Sequence, residues 1–524
     1  MVSSGQLAEG VRAIDAAISL DPLQASHLRE LGHTLWNAGQ REVAVGVLMH
    51  GSKIPGIEAS LLVDLAGMLI ELGHLDAAAG AAMVAIERQP GSATAQAHLG
   101  RALFGLGQHQ AALAPSIASV TLNPRNANAV SNLGAVLLHL GFYEQGLDFS
   151  RQATALNPAL YQAYVNQAVA LDALRRPTEA EAVSRAALAV APHNPQVRHN
   201  LAAHLLGTGT LSAEAWTLYE ARLQMTAAAR AIADFPRWQG EDITGQTILL
   251  HAEQGLGDTL QFARYVTLVA ERGARVILVV QPELVRLLRT LPGVSVVLAA
   301  GAPLPEFDWF CPLLSLPRAF GTTLGTIPGQ TPYILPDPAL VHRWRTPAEN
   351  DTGTPLAVGV AWAGNRLFIH DATRSIPAAA LAPLANMPGL RLHSLQKCHS
   401  LQNSDDGAPP VELLDRMAGV TDFADTAALI AGLDLVITID SAVAHLAGAI
   451  GKEVWMLSRY TGCWRWLRNR ADTPWYPTMQ IYRQPCHGDW DSVLRAVRTD
   501  LEARVAARAL CRGRVHEFPD HTTP

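Results

Sequence analysis

The pattern of apolar and polar positions changes character once along this chain, at about residue 235. Before that point it repeats with a period of 34 residues, and after it short apolar, β-branched runs alternate with helical segments. A leucine marks the same phase in six successive repeats: Leu35, Leu69, Leu103, Leu137, Leu171 and Leu205. A fixed period of this length is typical of helical repeat arrays, whereas strand–helix alternation predicts parallel sheets covered on both faces.

Glycine, small residues and proline punctuate each repeat. The Leu31-Gly32 pair has a counterpart in every repeat with glycine or alanine at its second position, and this small residue lets two helices approach closely. Glycines near the end of the first helix permit a turn, and they lie at Gly39, Gly73, Gly107, Gly141 and Gly209, with Arg175 as the one exception. This pattern resembles the tetratricopeptide repeat (TPR). We expect a lone helix over about 6–20, five helix pairs over about 25–193 and a last pair to about residue 223, with a long concave groove.

A polar column follows the last repeats. Asn132, Asn166 and Asn200 share the position just before the Leu-Gly pair, on the helix that faces the groove. Side-chain amides both donate and accept hydrogen bonds, so such a column can bind an extended peptide backbone. A plain helix-surface or inter-repeat role is the alternative. The column is similar to the asparagine ladder of protein O-GlcNAc transferases, and that resemblance implies a protein or peptide acceptor in the groove.

The second half predicts two α/β domains separated by a Gly-, Pro- and Thr-rich linker over 321–355. Strands are predicted at 247–251, 275–280, 294–299 and 307–313, and then at 356–364, 391–396, 434–440, 453–458 and 479–483. Helices are predicted at 259–272, 282–291, 377–386, 422–433, 441–450 and 490–509. Two such domains leave a cleft between the carboxyl ends of their strands, where open α/β sheets bind ligands.

Two strand-to-helix turns carry the candidate chemistry. In ITIDSAVAHLAGAIG, a strand ends at Asp440 and a helix opens at Ser441, Ala442 and Val443, whose backbone N–H groups suit a phosphate. In AEQGLGD, Gly255 and Gly257 let the backbone approach a ligand closely. Asp258 is either a helix N-cap or a carboxylate able to take a proton from an acceptor hydroxyl, and both roles are compatible.

These two turns, with AWAGN and RSIP at 361–377, resemble the ADP-heptose:lipopolysaccharide heptosyltransferases over roughly 245–510. The resemblance implies the GT-B fold, with two Rossmann-like domains facing a cleft, inversion at the sugar and no metal. It implies that Asp258 is the base and that Asp440 lies near the donor sugar and pyrophosphate. Arg374 stands where the family has a donor-phosphate lysine, and Ala442 where it has a glycine. The donor-binding set is completed by Gly255, Gly257, Gly364, Asn365, Ser441, Val443 and His445.

Composition excludes several other classes. The formal net charge of −6 disfavours a nucleic-acid-binding protein. We expect no membrane span and no signal peptide. The five cysteines form no zinc-binding spacing, and a cytoplasmic location is the simplest interpretation.

The combined prediction is a TPR α-solenoid over 1–228, an acceptor-side Rossmann-like domain over 235–340 and a nucleotide-sugar-binding domain over 350–515. The predicted activity is transfer of a sugar from a UDP- or ADP-linked donor, without a further cofactor, to an acceptor held by the repeats. Two alternatives stay open: a protein-interaction scaffold whose transferase half is inactive, and a sugar-nucleotide epimerase on the same fold.

Overall fold

The structure is a computed structural model, and it describes residues 25–54, 56–225, 235–345, 355–366, 371–397 and 411–515. Internal contacts divide the chain into two compact units, Met1–Val197 and Arg198–Pro524. The lone helix predicted over about 6–20 lies outside the described residues. The domain limits drawn from the sequence stay predictions.

Helix pairs joined by short turns build the amino-terminal part, which confirms the predicted repeat. The five complete pairs are α1 (Ala25–Asn37) and α2 (Arg41–Ser52), α3 (Ala59–Leu72) and α4 (Leu75–Arg88), α5 (Ala93–Gly105) and α6 (His109–Leu122), α7 (Ala127–His139) and α8 (Tyr143–Leu156), and α9 (Tyr161–Ala173) and α10 (Pro177–Val190). The last pair is α11 (Pro195–Gly207) and α12 (Ala213–Tyr219), followed by a 3-10 turn over Glu220–Gln224.

The small residue of each repeat lies where two helices touch. A Cβ atom on Gly32 would lie 2.7 Å from Leu48 Cδ2, and one on Gly134 would lie 2.7 Å from Ser150 Oγ. A larger residue at either position would therefore have to displace its neighbour. The turn glycine has a positive φ in every repeat that carries it, and Arg175 adopts the same left-handed conformation, with φ 57°. The conformation is therefore imposed by the repeat and not by the residue type.

Two separate parallel sheets form the carboxyl-terminal part, as predicted. In the first, the strand order is β3 (Val294–Ala299), β2 (Arg275–Val280), β1 (Thr247–His251) and β4 (Trp309–Pro312). In the second, the order is β10 (Met479–Arg483), β9 (Val454–Ser458), β8 (Leu435–Ile439), β5 (Leu356–Ala361), β6 (Leu390–Ser394) and β7 (Leu414–Asp415). The edge strand β7, of two residues, had no sequence signal.

Several helices differ from their predicted spans. The helix predicted over 259–272 begins earlier and is divided into α13 (Leu256–Phe262) and α14 (Tyr265–Ala270). The predicted helix 377–386 is a 3-10 segment, Ala378–Leu384, which contains Pro383. The remaining helices are α15 (Val285–Leu288), α16 (Leu316–Ala319), α17 (Pro338–Trp344), α18 (Asp371–Arg374), α19 (Phe423–Ala431), α20 (Ala442–Ala449) and α21 (Trp490–Val515).

The central strands of the second sheet are buried on both faces. All residues of β5, β8 and β9 are buried, and α21 packs Leu494, Val497 and Leu501 against this core. Burial on both faces explains the almost continuous apolar runs of these strands. Within the described ranges, no helix combines the length and apolarity that crossing a membrane requires.

Candidate active site

The turn after β1 holds Asp258 by hydrogen bonding and by charge. Helix α13 begins at Leu256, with Gly255 as its N-cap residue. Asp258 is therefore the third residue of the helix and not the N-cap that the sequence suggested. Its Oδ2 atom accepts a hydrogen bond from the backbone N–H of Gly255 at 3.0 Å. The carboxylate thus satisfies a helix-start donor from inside the first turn.

Gly257 is a point of close approach between the two α/β domains. A Cβ atom on Gly257 would lie 2.7 Å from His445 Cδ2 and 3.4 Å from Ala442 Cα. Both contacted residues belong to α20. The structure therefore brings together the two turns that the sequence singled out, and it requires glycine at position 257 for packing.

Asp258 forms an ion pair with a residue that the sequence analysis missed. Its Oδ1 atom lies 2.5 Å from Arg465 Nη2, and the side chains of Arg465 and Asp258 are 9% and 20% exposed. Burial raises the pKa of the Asp258 carboxyl, whereas the Arg465 guanidinium and the Gly255 N–H lower it. The negative charges of Asp440 and Glu253 raise that pKa further. Asp258 is thus a partly desolvated carboxylate whose charge is balanced by one cation.

The predicted donor-side residues Gly364, Arg374 and Asp440 also lie together. Arg374 Nε pairs with Asp371 Oδ1 at 2.9 Å, and Arg374 Nη1 donates to the backbone oxygen of Asp440 at 3.0 Å. A Cβ atom on Gly364 would collide with the Arg374 guanidinium, which lies directly against this glycine. Asn365, the next residue, is exposed. The carboxyl ends of β5 and β8 therefore share one cationic side chain.

The start of α20 follows directly from β8. Ser441 is the N-cap residue, and its Oγ atom accepts a hydrogen bond from the N–H of Val443 at 3.3 Å. Ala442 is the first residue of the helix, and its Cα atom faces Gly257. This geometry agrees with the predicted cap, while binding of a phosphate at this helix start stays a prediction.

His445 is buried between the two domains. It is 4% exposed, its Nδ1 atom lies 2.9 Å from the hydroxyl of Tyr476, and its ring stacks on Trp466 at 4.9 Å. Burial and then the charges of Arg465 and Arg264 hold its pKa well below the ordinary value. His445 is therefore a neutral packing residue at this interface, while its predicted contact with a donor stays a prediction.

A buried charge network, also missed by the sequence analysis, lies beside the Asp258 turn. Arg222 Nη2 lies 2.8 Å from Glu253 Oε1, and Arg222 Nη1 lies 2.8 Å from Glu220 Oε1. Ser315 Oγ accepts a hydrogen bond from Arg222 at 2.7 Å. Arg222 is 3% exposed and Glu253 is 5% exposed. The segment that follows the last repeat helix is thus fixed to the loop between β1 and α13.

The asparagine column contains an inter-repeat contact. Asn166 Nδ2 donates to the backbone oxygen of Ser131 at 3.0 Å and to its hydroxyl at 3.2 Å. In an earlier repeat, Asp64 at the same position pairs with Arg29 and His33 of the preceding repeat. Asn132 and Asn200 are both half-buried. Asn166 therefore makes an inter-repeat contact, and the role of the three residues in acceptor binding stays a prediction.

Comparison with known proteins finds a family match within the second sheet, over β7, β8 and β9. Residues 407–475 match glycosyltransferase family 9 (heptosyltransferase). The carboxyl-terminal part of this chain contains a glycosyltransferase family 9 domain. The matched segment includes Asp440, the start of α20, His445 and Arg465. Asp258 and Arg374 lie outside it, and their roles stay predictions.

A curated relative matches more than half of this chain. Over 325 residues the chain is 29% identical to Protein FlbA of Caulobacter vibrioides (strain ATCC 19089 / CIP 103742 / CB 15), a match that covers 57% of this chain. The chain spans about half the length of this curated relative, of which 53% is covered.

Solved structures of TPR proteins match the helical part that precedes the family 9 domain. TTC0263, a thermophilic TPR protein of Thermus thermophilus, is 23% identical with a TM-score of 0.31, covering 35% of this chain and 99% of that chain. MamA from Desulfovibrio magneticus RS-1 is 19% identical with a TM-score of 0.29, covering 32% of this chain and 94% of that chain.

Proposed function

We propose that this protein transfers a sugar from a nucleotide-diphosphate donor to a protein or peptide held by its helical repeats. The proposal includes a UDP- or ADP-linked donor, no metal ion, and a cytoplasmic location. The observation that carries it is the meeting of the Asp258 turn with α20 inside a chain that has a glycosyltransferase family 9 domain.

The donor half of the proposal is supported by the second sheet. Arg374 lies between Gly364 and the backbone of Asp440, at the carboxyl ends of two adjacent parallel strands. Ligands of open α/β sheets bind at such ends, and a guanidinium is suited to a diphosphate. We propose that Arg374 binds the donor phosphates and that Asp440 and the first turn of α20 contact the sugar and pyrophosphate.

The acceptor half is supported by Asp258. A general base has to be ionised before it takes a proton, and its pKa should lie close to the working pH. Burial raises the pKa of Asp258 while Arg465 opposes that rise, so the ion-paired carboxylate is more basic than an exposed aspartate. We propose that it removes the proton of the acceptor hydroxyl during transfer.

Donor binding is tested by calorimetry of the full chain with UDP, ADP and sugars linked to each. We expect one of the two nucleotide series to bind and Arg374→Ala to weaken that binding. Transfer is then measured as release of nucleoside diphosphate in the presence of a synthetic peptide array. If neither series binds and none is consumed, the proposed activity is refuted.

A scaffold with an inactive transferase half is the second candidate, and one observation favours it. Both carboxylate oxygens of Asp258 are engaged, one by Gly255 and one by Arg465. Nucleotide binding without sugar release under any acceptor condition would support the scaffold. Turnover that depends on Asp258 would exclude it.

A further inference from the structure

Arg465 is a buried cation in the segment after β9. It lies in the 3-10 turn Trp464–Trp466, and its side chain is 9% exposed. Its guanidinium carbon lies 4.6 Å from the ring centroid of Trp464 and 5.9 Å from that of Phe262. Phe262 belongs to α13, the helix that begins beside Asp258. Aromatic rings from both α/β domains therefore enclose this guanidinium.

Its polar contacts connect two distant segments. Arg465 Nη2 lies 2.5 Å from Asp258 Oδ1 and donates to the hydroxyl of Tyr219 at 3.4 Å. Tyr219 ends α12, the last α-helix of the repeats, and is 1% exposed. The Tyr219 ring also packs edge-on against Trp464 at 5.4 Å. One guanidinium thus joins the end of the repeat helices to the candidate base.

Other charged groups near Asp258 oppose its ionisation. Asp440 and Glu253 are both negative, and Tyr219 is a neutral phenol whose pKa burial raises. Around Arg465 itself lie Cys463, whose Sγ atom accepts a hydrogen bond from Arg465 Nη1 at 3.3 Å, and two histidines, His199 and His445. Burial raises the pKa of the Cys463 thiol, whereas burial and the charge of this arginine lower the pKa values of both histidines. Both histidines are therefore neutral near pH 7. Among the residues that the structure describes, Arg465 is the cation that offsets the burial of Asp258, because the positive charge of Arg222 is paired with Glu253 and Glu220.

We propose that Arg465 is a positioning residue for Asp258, which it keeps ionised and oriented, and that Tyr219 of the last repeat helix holds Arg465 in place. This inference rests on the proposed function for its catalytic meaning. It makes the ionisation of Asp258 depend on the position of α12, since a displaced α12 would remove the Tyr219 hydroxyl from the Arg465 guanidinium.

The titration of Asp258 tests the inference without donor or acceptor. The full chain is labelled with aspartate carrying ¹³C at the carboxyl carbon, and the Asp258 resonance is assigned by its absence in Asp258→Asn. The resonance is followed by NMR between about pH 3 and pH 9, which spans the ordinary range of carboxyl titration. Wild type is compared with Arg465→Met, Arg465→Lys and Tyr219→Phe.

We expect the Asp258 midpoint in Arg465→Met to rise by about one pH unit or more, the lower end of the effect of an adjacent guanidinium. Arg465→Lys is expected to give a smaller rise, because a lysine keeps the charge without the planar stacking. Arg470→Met is the matched control: Arg470 lies in the same loop and pairs with the exposed Asp472, and its loss is expected to leave the midpoint unchanged.

An unchanged midpoint in folded Arg465→Met overturns the inference. If Arg465→Met fails to fold, Arg465→Lys and Tyr219→Phe decide, since the first keeps the positive charge and the second loses only a hydroxyl; unchanged midpoints in both variants overturn it. In Tyr219→Phe, which loses only the hydroxyl, we expect a rise smaller than that of Arg465→Met.

Transfer kinetics separate this inference from the proposed function. In an active enzyme, the acidic limb of the kcat profile is expected to move to higher pH in Arg465→Met, with rate partly restored as pH rises. A shifted titration in a protein that transfers no sugar refutes the proposed function and supports the Arg465 assignment. Normal transfer together with an unchanged titration supports the proposed function and refutes the Arg465 assignment.

Discussion

Replacing Asp258 with asparagine distinguishes the structural role of this carboxylate from its chemical role. An asparagine oxygen can still accept the hydrogen bond from the Gly255 N–H, which Asp258 accepts at 3.0 Å. The amide nitrogen then faces Arg465, whose Nη2 atom lies 2.5 Å from Asp258 Oδ1. The amide N–H of asparagine and the N–H of Arg465 are both donors, so they cannot bond to each other. The guanidinium also loses its counter-charge, because asparagine is neutral. From the sequence alone, asparagine is expected to leave the melting temperature nearly unchanged, and the ion pair changes that expectation.

The size of the effect follows from burial. Removing one partner of a fully buried ion pair costs about 3–5 kcal/mol. Asp258 keeps 20% of its side chain exposed, so water replaces part of the lost interaction and we expect a lower free energy of unfolding by about 1–3 kcal/mol. A general base contributes about 10²–10⁴ in rate. The variant is therefore expected to transfer sugar at least ~100-fold more slowly.

Denaturant unfolding and nucleoside diphosphate release measure the two effects separately. The double variant Asp258→Asn/Arg465→Met is the control, because it removes the unpaired guanidinium. We expect it to regain part of the lost stability while its turnover stays low. Wild-type stability together with wild-type turnover in Asp258→Asn would refute both the ion pair and the catalytic assignment.

Three further outcomes are expected. Arg374→Ala is expected to weaken nucleotide binding by about 1.5–3 kcal/mol, the range for a charged hydrogen bond. An unchanged affinity by calorimetry would show that Arg374 is not part of the site. Arg470→Ala is the control variant. Arg175→Gly is expected to raise the free energy of unfolding by about 0.5–1 kcal/mol, since relief of left-handed strain outweighs the unfolded-state entropy that glycine adds; a lower stability by denaturant unfolding would contradict this. Burial and the charges of Arg222 and Arg465 lower the pKa of His199 to about 4. The contribution of neutral His199 to the free energy of unfolding is therefore fully present above pH ~6.5. It is lost, by up to about 3 kcal/mol, as pH falls toward 4. His199→Gln is expected to lessen this loss in acid unfolding curves, and an unchanged acid dependence would refute it.

The parts of the fold that were predictable are those with a local cause. The turn at Gly39 and the equivalent turns need a residue in the left-handed conformation, and the position of Gly32 needs a small residue. Both requirements produce a recurring residue type in the sequence of the repeats. The central strands β5, β8 and β9 are buried on both faces and therefore read as apolar runs. The edge strand β7 has only two residues and leaves no such pattern.

The site was predictable only where its residues follow strands. Asp258 and Asp440 were found because each lies in a strand-to-helix turn, and parallel sheets place such turns at one edge. Arg465 and Arg222 were missed because their partners lie far away in sequence: Asp258 is 207 positions from Arg465, and Glu253 is 31 positions from Arg222. A pairing at these separations depends on how domains pack, and no local pattern encodes it. The one available signal was an arginine set between two tryptophans, which is unusual for an exposed cation.

The burial of Arg465 offers a physical connection between the proposed catalysis and the proposed recognition of an acceptor by the repeats. A base on a rigid turn needs a counter-charge, and a surface lysine would provide one without any link to the repeats. Here the counter-charge is enclosed by Trp464 and Phe262 and bonded to Tyr219. A shift of α12 would therefore move Tyr219, a hydrogen-bond partner of the Arg465 cation. Because the two charges lie 2.5 Å apart in a desolvated site, even a small displacement of the guanidinium changes the ionisation of Asp258. The end of the repeat helices is in this way electrostatically coupled to the proposed chemistry.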